Sequence, residues 1–181
     1  MSRPVLRLQT NSAQETQALA AALAELARPC DLLLLVGDLG AGKTAFTQGF
    51  GAGLGVEDQV TSPTFSLVRQ YEGRLDLNHL DVYRLGQVSE ALDLGLSELL
   101  DEGAVTVIEW GDTILPALPP DYLEVRITFL DGETERPDVR TLELVARGPQ
   151  WAARQKALAT ALETWAVDAG SAVDDTDEET L

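Results

Sequence analysis

The chain has 181 residues, 45% hydrophobic and 24% charged, with a formal net charge of −17, a balance that predicts one soluble globular domain with its own core. So acidic a body argues against a direct grip on polynucleotide, which needs Lys and Arg to neutralise phosphates. The one cysteine, Cys30, excludes an internal disulfide, no apolar run is long enough for a membrane span, and Met1-Ser2-Arg3-Pro4 opens no secretory signal, so a cytoplasmic protein is expected.

Val5-Leu6-Arg7-Leu8-Gln9 alternates well enough for a short strand. Ser12 with Glu15 has the pattern of a capping box, and the helix it opens should run to about Ala27, stopping before Pro29. The apolar run Leu32-Leu33-Leu34-Leu35-Val36 reads as a buried parallel strand. It leads straight into Gly37-Asp38-Leu39-Gly40-Ala41-Gly42-Lys43-Thr44, which fits G-x-x-x-x-G-K-[ST]. A helix should follow from Lys43 to about Leu54, and Gly49, Gly51, Gly53 and Gly55 should fray its far end.

This strand–loop–helix context is what a phosphate-cradling loop requires. Glycines permit positive φ and leave room beside an oxyanion, successive N–H groups form an anion nest, and the new helix adds its positive end. Lys43 would reach the β- and γ-phosphates and Thr44 would hold Mg²⁺. Lys43 is one of only two lysines, the other being Lys156. Gly40 to Ala45 also fits the dinucleotide fingerprint G-x-G-x-x-A, but that motif wants an acid ending the next strand, and Glu57 and Asp58 follow a glycine-rich stretch instead.

Thr61-Ser62-Pro63-Thr64-Phe65 reads either as a proline turn entering a strand or as a switch whose hydroxyls sense the γ-phosphate. Phe65–Tyr71 and Leu75–Tyr83 around Glu72-Gly73-Arg74 predict a β-hairpin, with His79, Asp81 and Tyr83 on one face. His79 reads best as a hydrogen-bonded core residue. Asp81 between Leu80 and Val82 is costly unless paired, which favours a role near the phosphates. Ser89 to Leu100 is a candidate helix interrupted at Gly95, and Ala104 to Ile108 is another central strand. Glu109 at its carboxyl end stands where open α/β sheets bind ligands, and suits a metal or water; the plain alternative is a solvated loop acid. Trp110 packs against such a site or covers the core. Tyr122–Leu130 and Val139–Ala146 predict an antiparallel hairpin turning at Asp131-Gly132, with one face wet. Trp151 to Trp165 predicts one amphipathic helix. Asp168, Asp174, Asp175, Asp177, Glu178 and Glu179 form an acidic tail, expected to be disordered.

The phosphate loop, Thr61 to Phe65, His79-Leu80-Asp81-Val82-Tyr83-Arg84 and Ile108-Glu109-Trp110 together resemble, in order and spacing, the TsaE (YjeE) family of bacterial ATPases. The resemblance spans roughly Val5 to Trp165. It implies an α/β fold of the P-loop NTPase kind, a three-layer sandwich whose central, mostly parallel sheet carries antiparallel hairpin additions. Residues 1–167 would be one ATPase domain and 168–181 a tail. The implied function is the ATPase needed for threonylcarbamoyladenosine at position 37 of tRNA, with ATP and Mg²⁺ as cofactors. The partner would be the TsaB–TsaD heterodimer, while TsaC makes the threonylcarbamoyl-adenylate; tRNA would be met only indirectly. Lys43 would be the phosphate lysine, Thr44 and Glu109 the Mg²⁺ ligands, and Asp81 would lie by the nucleotide. Either Asp81 or Glu109 would position the attacking water. The adenine pocket would include the chain near Thr10 to Ser12, and Arg136 of the last hairpin would reach phosphate.

Other readings are a small-molecule kinase, which lacks an Arg-rich lid stretch here, and a GTPase switch, which lacks N-K-x-D and D-x-x-G elements. A nucleotide-bound interaction module, with hydrolysis incidental, is a fourth.

Overall fold

The computed structural model describes residues 5–63, 67–85, 90, 93, 95–130 and 137–167. Thr64, Arg136 and the acidic tail, all named above, lie outside them. Among the described residues seven strands form one sheet: β1 (Val5–Thr10), β2 (Leu32–Val36), β3 (Val68–Tyr71), β4 (Leu77–Asp81), β5 (Val105–Glu109), β6 (Tyr122–Phe129) and β7 (Arg140–Arg147). Their order is β1-β7-β6-β2-β5-β4-β3. The inner four, β6, β2, β5 and β4, are parallel. Antiparallel strands close both flanks: β3 on β4, and β7 between β6 and β1. The expected α/β architecture, a mostly parallel centre with hairpin additions, is what forms.

The all-apolar sequence of β2 follows from burial on both faces. Leu33 and Leu35 enter a core with Leu19 of α1 (Ala13–Ala24) and Phe46 and Phe50 of α2 (Lys43–Gly53). Leu32 and Leu34 enter a second core, with Leu80, Ile108, Ile114 and Leu96 of α3 (Leu96–Asp101). Helices thus cover both sides of the sheet. Phe46 and Phe50 stack with ring centroids 6.3 Å apart, and full burial of such side chains contributes about 1.5–3 kcal/mol each.

Three local expectations need correction. α2 does not fray: it runs unbroken to Gly53, and Leu54 N–H still donates to Phe50 O at 3.0 Å. A Cβ at Gly49 would sit 2.1 Å from Gln17 O, and one at Gly53 would sit 2.5 Å from Ala21 O. The glycines let α2 lie against α1, and that packing outweighs their low helix propensity. α1 is regular only to Ala24, then tightens as Leu26 and Ala27 donate to carbonyls three residues back. The last helix is broken into α4 (Pro149–Ala153), α5 (Gln155–Ala161) and a 3-10 turn at Glu163–Trp165. The break is at Arg154, whose guanidinium is anchored on Asp31 at 2.6 and 2.7 Å. Of the helix expected over Ser89 to Leu100, α3 follows Gly95 (φ 69°), and most earlier positions lie outside the described residues.

Candidate nucleotide site

Strands β2, β4 and β5 end side by side, and the loop after β2 closes over those ends. The loop's glycines have separate duties. A Cβ at Gly37 would lie 2.3 Å from Ile127 O, so only glycine lets the chain leave β2 against β6. Gly42, at φ 111°, takes a backbone shape that side chains resist. α2 then starts at Lys43, with its first N–H groups free of helical partners.

Lys43 is 5% exposed. Its Nζ donates to the carbonyls of Gly37 (2.7 Å) and Asp38 (2.8 Å), and stands 4.0 Å from the Trp110 ring centroid. Burial pushes its pKa below the ordinary value of 10.5, against the pull of Glu109, Asp81, Asp38 and Asp112. The ammonium is held by neutral dipoles and a ring face, a setting that an arriving phosphate improves.

Opposite it, Asp81 and Glu109 sit in register on adjacent parallel strands. Glu109 is 3% exposed, so it is not a solvated loop acid. Its Oε1 accepts from Thr44 Oγ1 at 3.2 Å and lies 2.8 Å from His79 Nε2. Asp81 Oδ2 accepts from Ser62 Oγ at 3.0 Å, and Oδ1 accepts from the Tyr83 N–H at 3.0 Å. The pairing that Asp81 needs is therefore present. His79 is a buried, hydrogen-bonded residue as expected, but its partner is the site acid itself.

A cavity of about 460 Å³ joins these groups. Leu39, Gly40, Gly42, Lys43, Thr44, Ser62, Asp81, Glu109 and Trp110 line it; Gly37, Asp38 and Ala41 do not, though the carbonyls of Gly37 and Asp38 hold Lys43. Thr61 is tied away to β3, with its hydroxyl 2.6 Å from Arg69 Nη1 and its N–H donating to Tyr71 Oη at 3.2 Å. Trp110, at φ 62°, turns its ring into the cavity and lies 4.9 Å from Tyr83.

Three further residues line it: Ala45, which follows the loop, Arg84, which ends the stretch from His79, and Leu67, which carried no motif signal. Tyr83 lies past the end of β4, yet its exposed ring joins the wall. Arg140 on β7 donates from Nε to Ala41 O at 3.0 Å, so it is a hairpin arginine that touches the loop. Thr10, opposite Arg140, keeps its hydroxyl 2.8 Å from that of Thr16, and Ser12 caps α1 through the Glu15 N–H. The dinucleotide reading fails, because the strand after α2 is the antiparallel β3, and Glu57 and Asp58 lie in an exposed loop.

Oxygen atoms able to hold a divalent ion are the Thr44 hydroxyl and the Glu109 and Asp81 carboxylates. Among the described residues no cluster of three or more His, Cys, Asp or Glu forms a metal cage. That set fits Mg²⁺, which takes one or two carboxylates and completes its shell with phosphate and water.

A family model described as "Threonylcarbamoyl adenosine biosynthesis protein TsaE" matches residues 10–137, a span holding the loop, Asp81 and Glu109. The chain belongs to the TsaE family. A TsaE protein of Bacillus subtilis (strain 168), a tRNA threonylcarbamoyladenosine biosynthesis protein, is 46% identical over 132 residues, covering 72% of this chain and 82% of the relative. The TsaE of Treponema pallidum is 38% identical over 131 residues, covering 72% of this chain and 97% of its own length. The crystal structure of Bacillus subtilis YdiB matches with a TM-score of 0.73 at 34% identity, covering 88% of this chain and 97% of that one. TsaE membership and the P-loop NTPase fold point to nucleotide binding. Among the described residues no helix is long and apolar enough to cross a membrane.

Proposed function

We propose that this chain is a Mg²⁺-dependent ATPase that serves N6-threonylcarbamoyladenosine formation on tRNA, with residues 1–167 as one catalytic domain. The observation that carries the reading is the facing of Lys43 and Thr44 with two in-register carboxylates, Asp81 and Glu109, across one cavity. The amides from Gly40 to Thr44 cradle the phosphates. Lys43 exchanges the carbonyls of Gly37 and Asp38 for the β- and γ-phosphate oxygens. Thr44 and Glu109 would hold Mg²⁺, which would supply positive charge to offset that of the phosphates. Asp81 is left to orient the attacking water, with Ser62 and the Tyr83 amide fixing its carboxylate.

The pathway assignment rests on family membership. The partner is read as the TsaB–TsaD complex in the cytoplasm, with tRNA met through it, because a chain of net charge −17 cannot grip phosphates broadly. The test is ATP hydrolysis by the purified chain, with and without TsaB–TsaD and tRNA, in Mg²⁺ or in EDTA. Turnover should need Mg²⁺ and rise with the partner. An equal rate with and without TsaB–TsaD would remove the coupling. Asp81→Asn should keep Mg–ATP affinity and lose turnover by about 10²–10⁴-fold; loss of affinity instead would reassign Asp81.

A further inference from the structure

His79 has an arrangement that packing alone does not explain. The imidazole is fully buried on β4, in register with Val107, and Glu109 lies two residues further along β5 on the same face. Its Nε2 is 2.8 Å from Glu109 Oε1. Its Nδ1 has no hydrogen-bond partner among the described residues. A histidine kept only for the core would have both nitrogens satisfied, because buried polar atoms without partners are rare. With nothing for Nδ1 to donate to and a carboxylate against Nε2, the assigned tautomer carries its proton on Nε2. Among the described residues the ring therefore has one polar contact, and it is made to Glu109.

Glu109 in turn has two partners among the described residues, His79 and Thr44. Both approach Oε1; Oε2 has only the longer contact, 3.5 Å from Thr44 Oγ1. Thr44 belongs to the nucleotide side of the site, at the first turn of α2. His79 is the partner that belongs to the fold. We propose that His79 is a positioning residue: its Nε2–H pins Glu109 Oε1 and leaves Oε2 turned toward the metal-bound nucleotide. The proposal rests on the Mg–ATP reading above and extends it by one residue. Its role matches that of hydrogen-bonding partners behind metal ligands, whose loss weakens metal affinity by about ten- to hundredfold.

Three substitutions of the full chain separate positioning from packing. Glutamine extends an amide to where Nε2 sits, asparagine stops near Nδ1, and leucine fills similar space with no donor. The measurement is the Kd of a non-hydrolysable ATP analogue by titration calorimetry, in Mg²⁺ and in EDTA, with a thermal melt of each variant. The readout is the gain in affinity due to Mg²⁺. His79→Asn and His79→Leu should lose about ten- to hundredfold of that gain while affinity in EDTA stays as in the wild type. His79→Gln should keep most of it. A gain in His79→Leu equal to the wild type, or loss in all three tracking their melting temperatures, would overturn the proposal. If His79→Leu does not fold, equal gains in the Asn and Gln variants overturn it alone. A wild-type protein that binds the analogue equally in Mg²⁺ and EDTA would overturn the metal reading as well, so the two failures are told apart.

Discussion

The two ends of β2 both bury charge, and they do it in opposite ways. Just before the strand, Asp31 is 4% exposed and meets Arg154, 5% exposed, through both oxygens and both terminal nitrogens. The Arg28 N–H donates to Asp31 as well, at 2.8 Å. Each charge there is neutralised by the other, and the set is closed. Just after the strand, Lys43 and Glu109 are equally buried, yet among the described residues no ion pair joins Lys43 to either acid. Carbonyls and a ring hold the cation; a hydroxyl and an imidazole hold the anion. Charge paired with charge supports a fold, whereas charge held by neutral groups stays available to a ligand.

Breaking the closed end should have the largest effect. Arg154→Ala strands Asp31 and should cost about 3–5 kcal/mol of stability, read by urea or thermal unfolding. Nucleotide affinity of the folded protein should stay as it was. Lys43→Ala should do the reverse, lowering turnover by about 10²–10³-fold, in the range seen when one transition-state donor is removed. Its free-state stability should change by only about 1 kcal/mol, since two hydrogen bonds go along with a desolvated charge.

Alkali should reach the same loss gradually. Burial places the Lys43 pKa below its unfolded value of 10.5, so the folded protein releases this proton first. Between those two pKa values the free protein gains stability from this group as pH rises. Affinity for the triphosphate should fall over that window, because the ammonium is lost; a flat titration from neutral pH to 10.5 would contradict the placement of Lys43.

Gly49→Ala should blur the contrast. Its Cβ would meet Gln17 O at 2.1 Å, and α2 would have to shift, at about 1–3 kcal/mol. Because α2 carries Lys43 and Thr44 at its start, melting temperature and nucleotide affinity should both drop in this variant.

Which residues gather round the candidate cavity is largely legible in the sequence, because the loop and its acids stand at fixed spacings. The loop's glycines, Lys43 and Thr44 are contiguous, and an acid between apolar strand residues, as at Asp81, is conspicuous. The long-range partners were hidden. Nothing near Arg154 shows that Asp31, 123 residues away, breaks the last helix around it. Glycines that look like helix breakers in α2 are contact points for α1, which only the packing reveals. The hairpin arginine shows the same limit: the resemblance points to Arg136, and only the placement of β7 beside the loop shows that Arg140 touches it. The pattern around His79 predicts burial, but its partner lies on another strand, which only the β4–β5 register reveals.

The central claim is that the loop from Gly37 to Thr44 grips a nucleotide's phosphates. A crystal structure with Mg²⁺ and a non-hydrolysable ATP analogue tests it most directly. The β- and γ-phosphates should lie on the amides of Gly40 to Thr44, with Lys43 Nζ moved from the Gly37 and Asp38 carbonyls to phosphate oxygens. A triphosphate bound elsewhere, with Lys43 still on those carbonyls, would contradict it.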